Sequence, residues 1–431
     1  MRRISLVSLV IALLIATVAP ASAAPPGAVS GLKSAGTPVP ELGSAGTPAP
    51  GPSSAGTPVS GLSSAGTPPG PVRGLRSAGT PGSGSGISWR DCRSGASDGQ
   101  GAELTAAGAL CATVRVPLDH RHPDGRTVGV AISRIKADPA KRRGILLANP
   151  GGPGGPGIAY PLELRPLLGD VAAQYDLIGF DPRFMGRSDP VDCGPVVLSE
   201  VFRSPANRAA FDQAARLASG FVASCKARNP DVLRYASIRE VARDMDSIRV
   251  ALGEQRLSYY GVSWGADLGV VYSQLFGVRV DRLVIDSVTE VEGSEYHHLA
   301  TGLQTEAAFD EWAAWVAWRD SEYHLGRTGM QVRAAVTRLR SQTIRLGSYR
   351  IDGAALPWVL SSALGDESDR ELMARNVRTL VDAVAGKPVH PSEELLGFLT
   401  TYYKPSSLVE HFVAASFAFT CNDRGWPAGP S

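Results

Sequence analysis

The chain has 431 residues, with 43 basic and 41 acidic side chains and a net charge of +2. This length suits one large domain or two ordinary ones, and a hydrophobic content of 43% is enough for a globular core. Because the charges nearly balance, the composition gives no basic surface for nucleic acid and no acidic tail, so we expect no nucleic-acid partner.

Residues 1–23 have the pattern of a secretory signal peptide. Arg2 and Arg3 carry positive charge, an apolar run extends from Ile4 to Val18, and residues 21–23 (Ala-Ser-Ala) form a small-residue cleavage site. The apolar run is too short to span a bilayer, although an uncleaved membrane anchor is the alternative. We therefore predict a secreted protein with no stable membrane insertion after cleavage.

Residues 24–86 form a low-complexity segment with a repeated pentapeptide. The string SAGTP begins at Ser34, Ser44, Ser54, Ser64 and Ser77. The repeats carry almost no apolar side chains to bury between neighbours, which argues against a solenoid. Since Pro, Gly, Ser and Thr cannot repay the entropy of ordering, we predict a flexible tether. A propeptide or a glycosylated stalk is the alternative.

From residue 87 to residue 290 short apolar runs alternate with amphipathic segments. The spacing of apolar residues in 240–252 is typical of a helix, and Asp124-Gly125 is a turn signal between two alternating runs. The predicted strands are 113–118, 127–132, 145–148, 177–180, 257–260 and 283–285. Strands that alternate with helices predict a doubly wound, mostly parallel sheet.

Residues 291–410 have a helical pattern, for which we predict a helical cap, followed by the start of a C-terminal segment at 411–431. Trp312, Trp315 and Trp318 lie three residues apart on one helix face. Packing inside the cap explains this spacing, and lining of a substrate pocket is the alternative.

The five cysteines suggest two disulfides, because export permits their formation. Proximity in sequence favours Cys92–Cys111 and Cys193–Cys225. Cys421 is then left unpaired, which is unusual in a secreted protein.

The segment Gly261-Val262-Ser263-Trp264-Gly265 directly follows the strand predicted at 257–260. A G-x-S-x-G motif between a strand and a helix is the nucleophile elbow of the α/β-hydrolase fold. Glycines on both sides allow a tight turn that points the serine hydroxyl out of the sheet. The motif predicts Ser263 as a catalytic nucleophile.

A glycine-rich loop, Asn149 to Gly157, follows the strand predicted at 145–148. Acyl transfer places negative charge on a carbonyl oxygen, which fixed backbone N–H groups stabilise. In the α/β-hydrolase fold one donor comes from this loop and another from the residue after the nucleophile. We assign these oxyanion donors to Gly152 and Trp264. No Gly-Lys-Ser/Thr follows the loop, which argues against phosphate binding.

Together with these motifs, the region from about residue 90 to 290 resembles the secreted tripeptidyl aminopeptidases and the related proline iminopeptidases, serine peptidases with the α/β-hydrolase fold. The matching stretches are 116–119, 149–157, 181–188, 241–244, 259–269 and 282–286. The resemblance implies removal of short peptides from free N-termini, with a peptide substrate and Ser263 as nucleophile. Phe184 and Pro156 are departures, since relatives usually have glycine and serine there.

The histidine that such a serine needs as its base is not evident. In this fold the acid and then the histidine follow the nucleophile, with the histidine after the final strand. The later histidines are His297, His298, His324, His390 and His411, and none of them follows an apolar strand. We interpret each as a surface or packing residue, with His411 and His297 the first to test. Asp286 ends a strand and is a candidate acid, or it orients neighbouring loops.

Cys421-Asn422-Asp423 resembles a Cys-x-Asp that relatives place just before a last segment carrying the acid and the histidine. We therefore expect that roughly one hundred residues, with the final strands of the sheet, are missing at the C-terminus. The resulting expectation is marginal turnover by these 431 residues alone.

These observations leave three functions open. The first is a secreted serine aminopeptidase in which a carboxylate binds the substrate amine, with Glu292, Glu295 and Asp423 as candidates. The second is a catalytically incomplete fragment or a non-catalytic protein on a hydrolase scaffold, and the third is an esterase or lipase. We find no metal cluster or cofactor motif, and the oligomeric state does not follow from the sequence.

Overall fold

The computed structural model describes residues 87–202, 204–205, 207–288, 296–361 and 369–423. The predicted signal peptide and tether, Glu292 and Glu295 lie outside the described residues, as do the side chains of His297 and His298. None of the helices in the described ranges combines the length and apolar character needed to cross a membrane.

A seven-stranded mixed sheet forms the centre of the described chain. Its strands, in chain order, are β1 (Arg90–Asp91), β2 (Leu110–Pro117), β3 (Thr127–Ile135), β4 (Gly144–Asn149), β5 (Tyr175–Phe180), β6 (Leu257–Val262) and β7 (Val280–Asp286). The spatial order is β1-β2-β3-β5-β4-β6-β7, with antiparallel pairing up to β5 and parallel pairing from β5 to β7. All six predicted strands and the α/β-hydrolase fold are confirmed.

Strands β4 and β5 in the middle of the sheet are buried, whereas β7 at its edge is mostly exposed. All six residues of β5 and five of the six in β4 are buried, as expected for strands with both faces covered. The helices of this region are α1 (Gly99–Ala106), α2 (Tyr160–Leu168), α3 (Leu198–Val201), α4 (Arg208–Arg228), α5 (Ile238–Ala251) and α6 (Trp264–Phe276).

Helix α5 confirms the helix predicted from apolar spacing. Val241, Met245 and Ile248 are fully buried on one face. Ser237 caps the helix by accepting a hydrogen bond from the Glu240 amide.

The region predicted to be a helical cap contains helices and a β-hairpin. The helices are α7 (Tyr296–Ala317), α8 (Asp320–Tyr323), α9 (Gly329–Arg340), α10 (Leu356–Ser361), α11 (Arg370–Val384) and α12 (Glu393–Tyr403). The hairpin pairs β8 (Ile344–Leu346) with β9 (Tyr349–Ile351). The helical prediction missed this hairpin, in which buried Ile344 and Leu346 alternate with exposed Arg345, the period of a strand.

Of the three tryptophans at 312, 315 and 318, the first and the last have different environments. Trp312 is buried and stacks on Phe309 with ring centroids 5.6 Å apart, whereas Trp318 is 83% exposed. Packing therefore accounts for Trp312 but not for Trp318.

A last helix, α13 (Ser407–Asp423), runs through the boundary predicted at residue 410 and connects two hydrophobic cores of the described chain. Phe412 and Val413 pack in the core of the cap. Ala414, Ala415 and Phe419 pack in the core on the sheet. The helix is therefore part of both regions.

Both predicted disulfides are present. Cys92 is joined to Cys111, and Cys193 to Cys225. Cys421 is a free, exposed cysteine on α13.

Candidate active site

Ser263 lies at the turn between β6 and α6, at the N-cap position of the helix but without a capping hydrogen bond from its side chain. Its φ of 56° and ψ of −127° are uncommon for a residue with a side chain. The Ser263 amide donates to the Asp286 carbonyl at 2.9 Å, and the Ser263 carbonyl accepts from the Ala266 amide at 2.7 Å. The turn therefore has the strained backbone of a nucleophile elbow.

The two glycines of the motif are required by close backbone approach. A Cβ atom at Gly261 would lie 2.2 Å from the Gly265 carbonyl oxygen. A Cβ atom at Gly265 would lie 2.5 Å from the Asn149 carbonyl oxygen. Both distances are too short for any side chain, which explains the spacing of the motif.

The glycine-rich loop contacts the elbow at Gly151. This residue has φ of 101°, and a Cβ atom on it would lie 2.5 Å from the Val262 carbonyl oxygen. The same atom would lie 3.0 Å from Ser263 Cβ and 3.3 Å from the Trp264 amide nitrogen. The loop and the serine therefore form one site, as their order in the sequence predicts.

Two amides at this contact have no acceptor within the part of the chain that the structure describes. Among the residues that the structure describes, none accepts a hydrogen bond from the Gly152 or the Trp264 amide. The Gly151 amide, in contrast, donates to Asn149 Oδ1 at 2.9 Å. Gly152 and Trp264 can therefore donate to a substrate oxygen, and their assignment as oxyanion donors stays a prediction.

Asp286 lies beside the elbow at the end of β7, opposite Val262. Its Oδ2 accepts from the Tyr260 hydroxyl at 3.1 Å and its Oδ1 from the Ser287 hydroxyl at 2.8 Å. Burial and the hydrogen bond to Asp286 raise the pKa of Tyr260. The candidate acid is thus paired with hydroxyl groups.

None of the histidines with a described side chain is hydrogen-bonded to Ser263 or Asp286. His120 and His122 contact Asp244 and Asp119 instead, at 2.8 and 3.0 Å. Likewise, no group of three His, Cys, Asp or Glu side chains in the described ranges could hold a metal ion.

Helix α13 forms a wall of the site. A Cβ atom at Gly154 in the glycine-rich loop would lie 2.9 Å from the Phe412 carbonyl oxygen and 3.1 Å from Ser416 Cβ. Further along α13, the Phe419 ring packs edge-on against the Trp264 ring, with the ring centroids 5.6 Å apart. The helix therefore packs against both the loop and the elbow.

Asp423 has a structural contact that does not support its predicted role with the substrate amine. Both carboxylate oxygens accept from the Ile238 amide, at 3.0 and 2.9 Å. Asn422 donates to the Leu233 and Ala236 carbonyls just before it. The end of α13 therefore accepts the hydrogen bond of a free amide in the first turn of α5. This capping interaction could not be predicted from the sequence.

We predict that Asp423→Ala lowers the free energy of unfolding by about 1 kcal/mol, because the α5 cap is lost. Asp423→Asn keeps an acceptor oxygen and should restore most of that stability, as measured by urea denaturation. If Asp423 instead bound the substrate amine, Asp423→Ala and Asp423→Asn would raise KM to the same extent.

A buried ion pair, missed at the sequence level, joins the turn after β5 to helix α5. Arg183 and Asp244 are both fully buried, and the Arg183 guanidinium donates to the two Asp244 oxygens at 2.7 and 2.6 Å. It also donates to the Pro117 and Leu118 carbonyls. Next to it, Phe184 has φ of 70°, a conformation that favours glycine. Both charged residues belong to stretches that resemble the peptidases, but their spacing gave no sign of the pairing.

Comparison with known proteins agrees with this geometry. The family model for the alpha/beta hydrolase fold matches residues 144–326, which include the loop and the elbow. Tripeptidyl aminopeptidase from Streptomyces lividans is 31% identical over 366 residues, covering 80% of this chain and 64% of that protein. Serine protease Hip1 from Mycobacterium tuberculosis is 32% identical over 214 residues, 48% of this chain and 40% of the protease.

Carboxylesterase B from Mycobacterium tuberculosis is 33% identical over 241 residues, 53% of this chain and 44% of the esterase. The chain therefore spans less than two thirds of each of these relatives. Taken with the sheet order and the strained serine turn, the similarities show that the chain has the α/β-hydrolase fold and is similar to serine peptidases with that fold.

Proposed function

We propose that the protein is an exported serine hydrolase that removes short peptides from free N-termini through an acyl-enzyme on Ser263. The observation that carries this proposal is the strained elbow at Ser263 beside the Gly152 and Trp264 amides, which have no acceptor among the described residues. Similarity to a protein named tripeptidyl aminopeptidase and to one named serine protease supports peptides as the substrate class. Two disulfides support export, since they persist in oxidising compartments.

In the proposed reaction the Ser263 oxygen bonds to the scissile carbonyl carbon while the π electrons move to the carbonyl oxygen. The Trp264 and Gly152 amides would donate to that oxygen as it becomes negative. The π electrons then return to the carbonyl, the C–N bond breaks, the amine leaves with the proton that the serine released, and water hydrolyses the acyl-enzyme. The serine proton must pass to a base, and no described imidazole is hydrogen-bonded to Ser263. That absence favours a second candidate function, a hydrolase scaffold without efficient catalysis.

An esterase is a third candidate, favoured by the similarity to carboxylesterase B. An exopeptidase needs a free amine on its substrate, whereas an esterase has no such requirement. The three candidates therefore differ in a measurable way.

The test measures hydrolysis of tripeptide p-nitroanilides with free and acetylated N-termini, and of p-nitrophenyl esters, by the 431-residue chain. We expect slow cleavage that prefers the free N-terminus by about tenfold or more. Free imidazole should accelerate it, because an external base can take the serine proton where no described imidazole is hydrogen-bonded to Ser263. Ser263→Ala is the control and should remove the activity.

Equal rates with free and blocked peptides, together with fast ester cleavage, would favour the esterase. If wild type and Ser263→Ala were indistinguishable with every substrate and with a fluorophosphonate probe, the scaffold reading would replace the enzymatic one.

A further inference from the structure

Asp181, directly after β5, is a fully buried carboxylate that the proposed reaction does not use. Its Oδ1 accepts from the Ile158 amide at 2.8 Å, and its Oδ2 accepts from the Arg187 amide at 2.7 Å. The Gly157 amide also donates to this carboxylate. Because Gly157 and Ile158 end the glycine-rich loop, Asp181 ties that loop to the turn at Arg187.

The packing around this carboxylate leaves the loop end little freedom. A Cβ atom at Gly186 would lie 2.3 Å from Asp181 Oδ2 and 2.9 Å from Pro156 Cβ. A Cβ atom at Gly157 would lie 2.4 Å from the Phe180 carbonyl oxygen. The loop is thus held at two points, by Asp181 at its end and by contact with the elbow near Gly151.

The charged groups around Asp181 are mostly engaged elsewhere. The Arg187 guanidinium donates to the Cys92 carbonyl and to Asp98. The other nearby pairs are Arg183–Asp244 and Arg115–Asp189. Burial therefore dominates and raises the pKa of Asp181 to about 6, although the amides and the Arg187 charge act in the opposite direction.

We propose that Asp181 is a positioning residue whose ionised carboxylate fixes the glycine-rich loop against the elbow, and that protonation of this carboxylate loosens the loop. An ionised carboxylate accepts hydrogen bonds at both oxygens, whereas a protonated one turns one oxygen into a donor. That donor would face an amide N–H, so at least one of the three bonds would be lost. The Gly152 amide would then lose its fixed direction toward the substrate oxygen.

Stability and loop order should respond to pH in opposite directions. The pKa of Asp181 is raised from 3.8 to about 6 by folding, so the folded state binds its proton more tightly. The contribution of this group to stability is therefore full below about pH 4 and is lost as the pH rises through about 6. Loop order, and with it Ser263 reactivity, should increase over the same range.

The experiment follows amide hydrogen exchange in residues 150–158 and 186–188 of the full chain between about pH 5 and pH 7.5, corrected for intrinsic rates. We expect protection of these segments to rise several-fold with a midpoint near pH 6. In Asp181→Asn the protection should be low and independent of pH, because the amide side chain has one acceptor and does not titrate.

Asp176→Asn is the matched control. Asp176 lies at the other end of β5, is 6% exposed, and accepts from the Ala137 amide at 2.8 Å. This variant also loses a buried carboxylate, but the pH response of the loop should remain. An equal loss of the response in both variants, or a normal response in Asp181→Asn, would overturn the proposal.

Fluorophosphonate labelling of Ser263 over the same pH range connects the loop to activity. The labelling part rests on the proposed function, whereas hydrogen exchange does not. Absent labelling with the expected exchange would therefore overturn the hydrolase function and support the role of Asp181. If Asp181→Asn does not fold, NMR titration of the wild type decides, since the Ile158 and Arg187 amide shifts must share a midpoint near pH 6.

Discussion

Gly151→Ala should reduce the rate at which Ser263 reacts with a fluorophosphonate or a peptide anilide by about 100-fold or more. The added methyl group would lie 2.5 Å from the Val262 carbonyl oxygen and 3.3 Å from the Trp264 amide nitrogen. Gly151 also has φ of 101°, a backbone conformation that residues with a side chain rarely adopt. The loop would have to move away from the elbow, which separates the two amides that are assigned to the oxyanion.

The matched control is Gly108→Ala. Gly108 also has a positive φ, 80°, but a Cβ atom there would meet nothing within 4 Å. This variant should lose about 1 kcal/mol of stability from backbone strain and keep the wild-type labelling rate. The measurement is the second-order rate constant of probe labelling. A Gly151→Ala rate close to that of wild type would show that the loop does not contribute to the reaction.

Arg183→Leu should lower the free energy of unfolding by about 3–5 kcal/mol, because it leaves Asp244 buried without its cation. The Arg183 guanidinium is fully buried and also satisfies the carbonyls of Pro117 and Leu118. With Asp244 it links the loop after β2 to helix α5. His120 Nε2 lies 2.8 Å from Asp244 Oδ1, but this single contact cannot replace the bidentate pair with Arg183.

Urea denaturation measures this effect, with Arg208→Ala as the control. Arg208 pairs with Asp212 at 2.8 Å, but their side chains are 86% and 41% exposed, so its loss should cost about 0.5 kcal/mol or less. The double variant Arg183→Leu/Asp244→Leu should recover part of the lost stability, since no unpaired charge remains. A loss below about 1 kcal/mol in Arg183→Leu would mean that water reaches Asp244 and that the pair is not a buried constraint.

Local sequence determined strands β2 to β7, the elbow and the glycine-rich loop. The run at 177–180 became the wholly buried β5, because continuous apolar residues have no solvated face to offer. Gly261 and Gly265 could be read correctly since the turn at Ser263 excludes side chains through backbone contacts within a few residues. The proximity of Gly151 to Ser263 could be predicted from the order of the two motifs in the sequence. In this fold the loop follows β4 and the elbow follows β6, and these two strands are parallel neighbours.

The partners of the charged side chains were decided only by the tertiary structure. Asp423 caps a helix that begins 185 residues earlier in the chain, and Arg183 pairs with Asp244, 61 residues away. Asp286, predicted to end a strand, accepts hydrogen bonds from Tyr260 and Ser287. No periodicity encodes such pairs, because each depends on how elements distant in sequence pack against one another. The same reason hid Asp181, whose carboxylate acquires its role from amides of two separate loops and from complete burial between them.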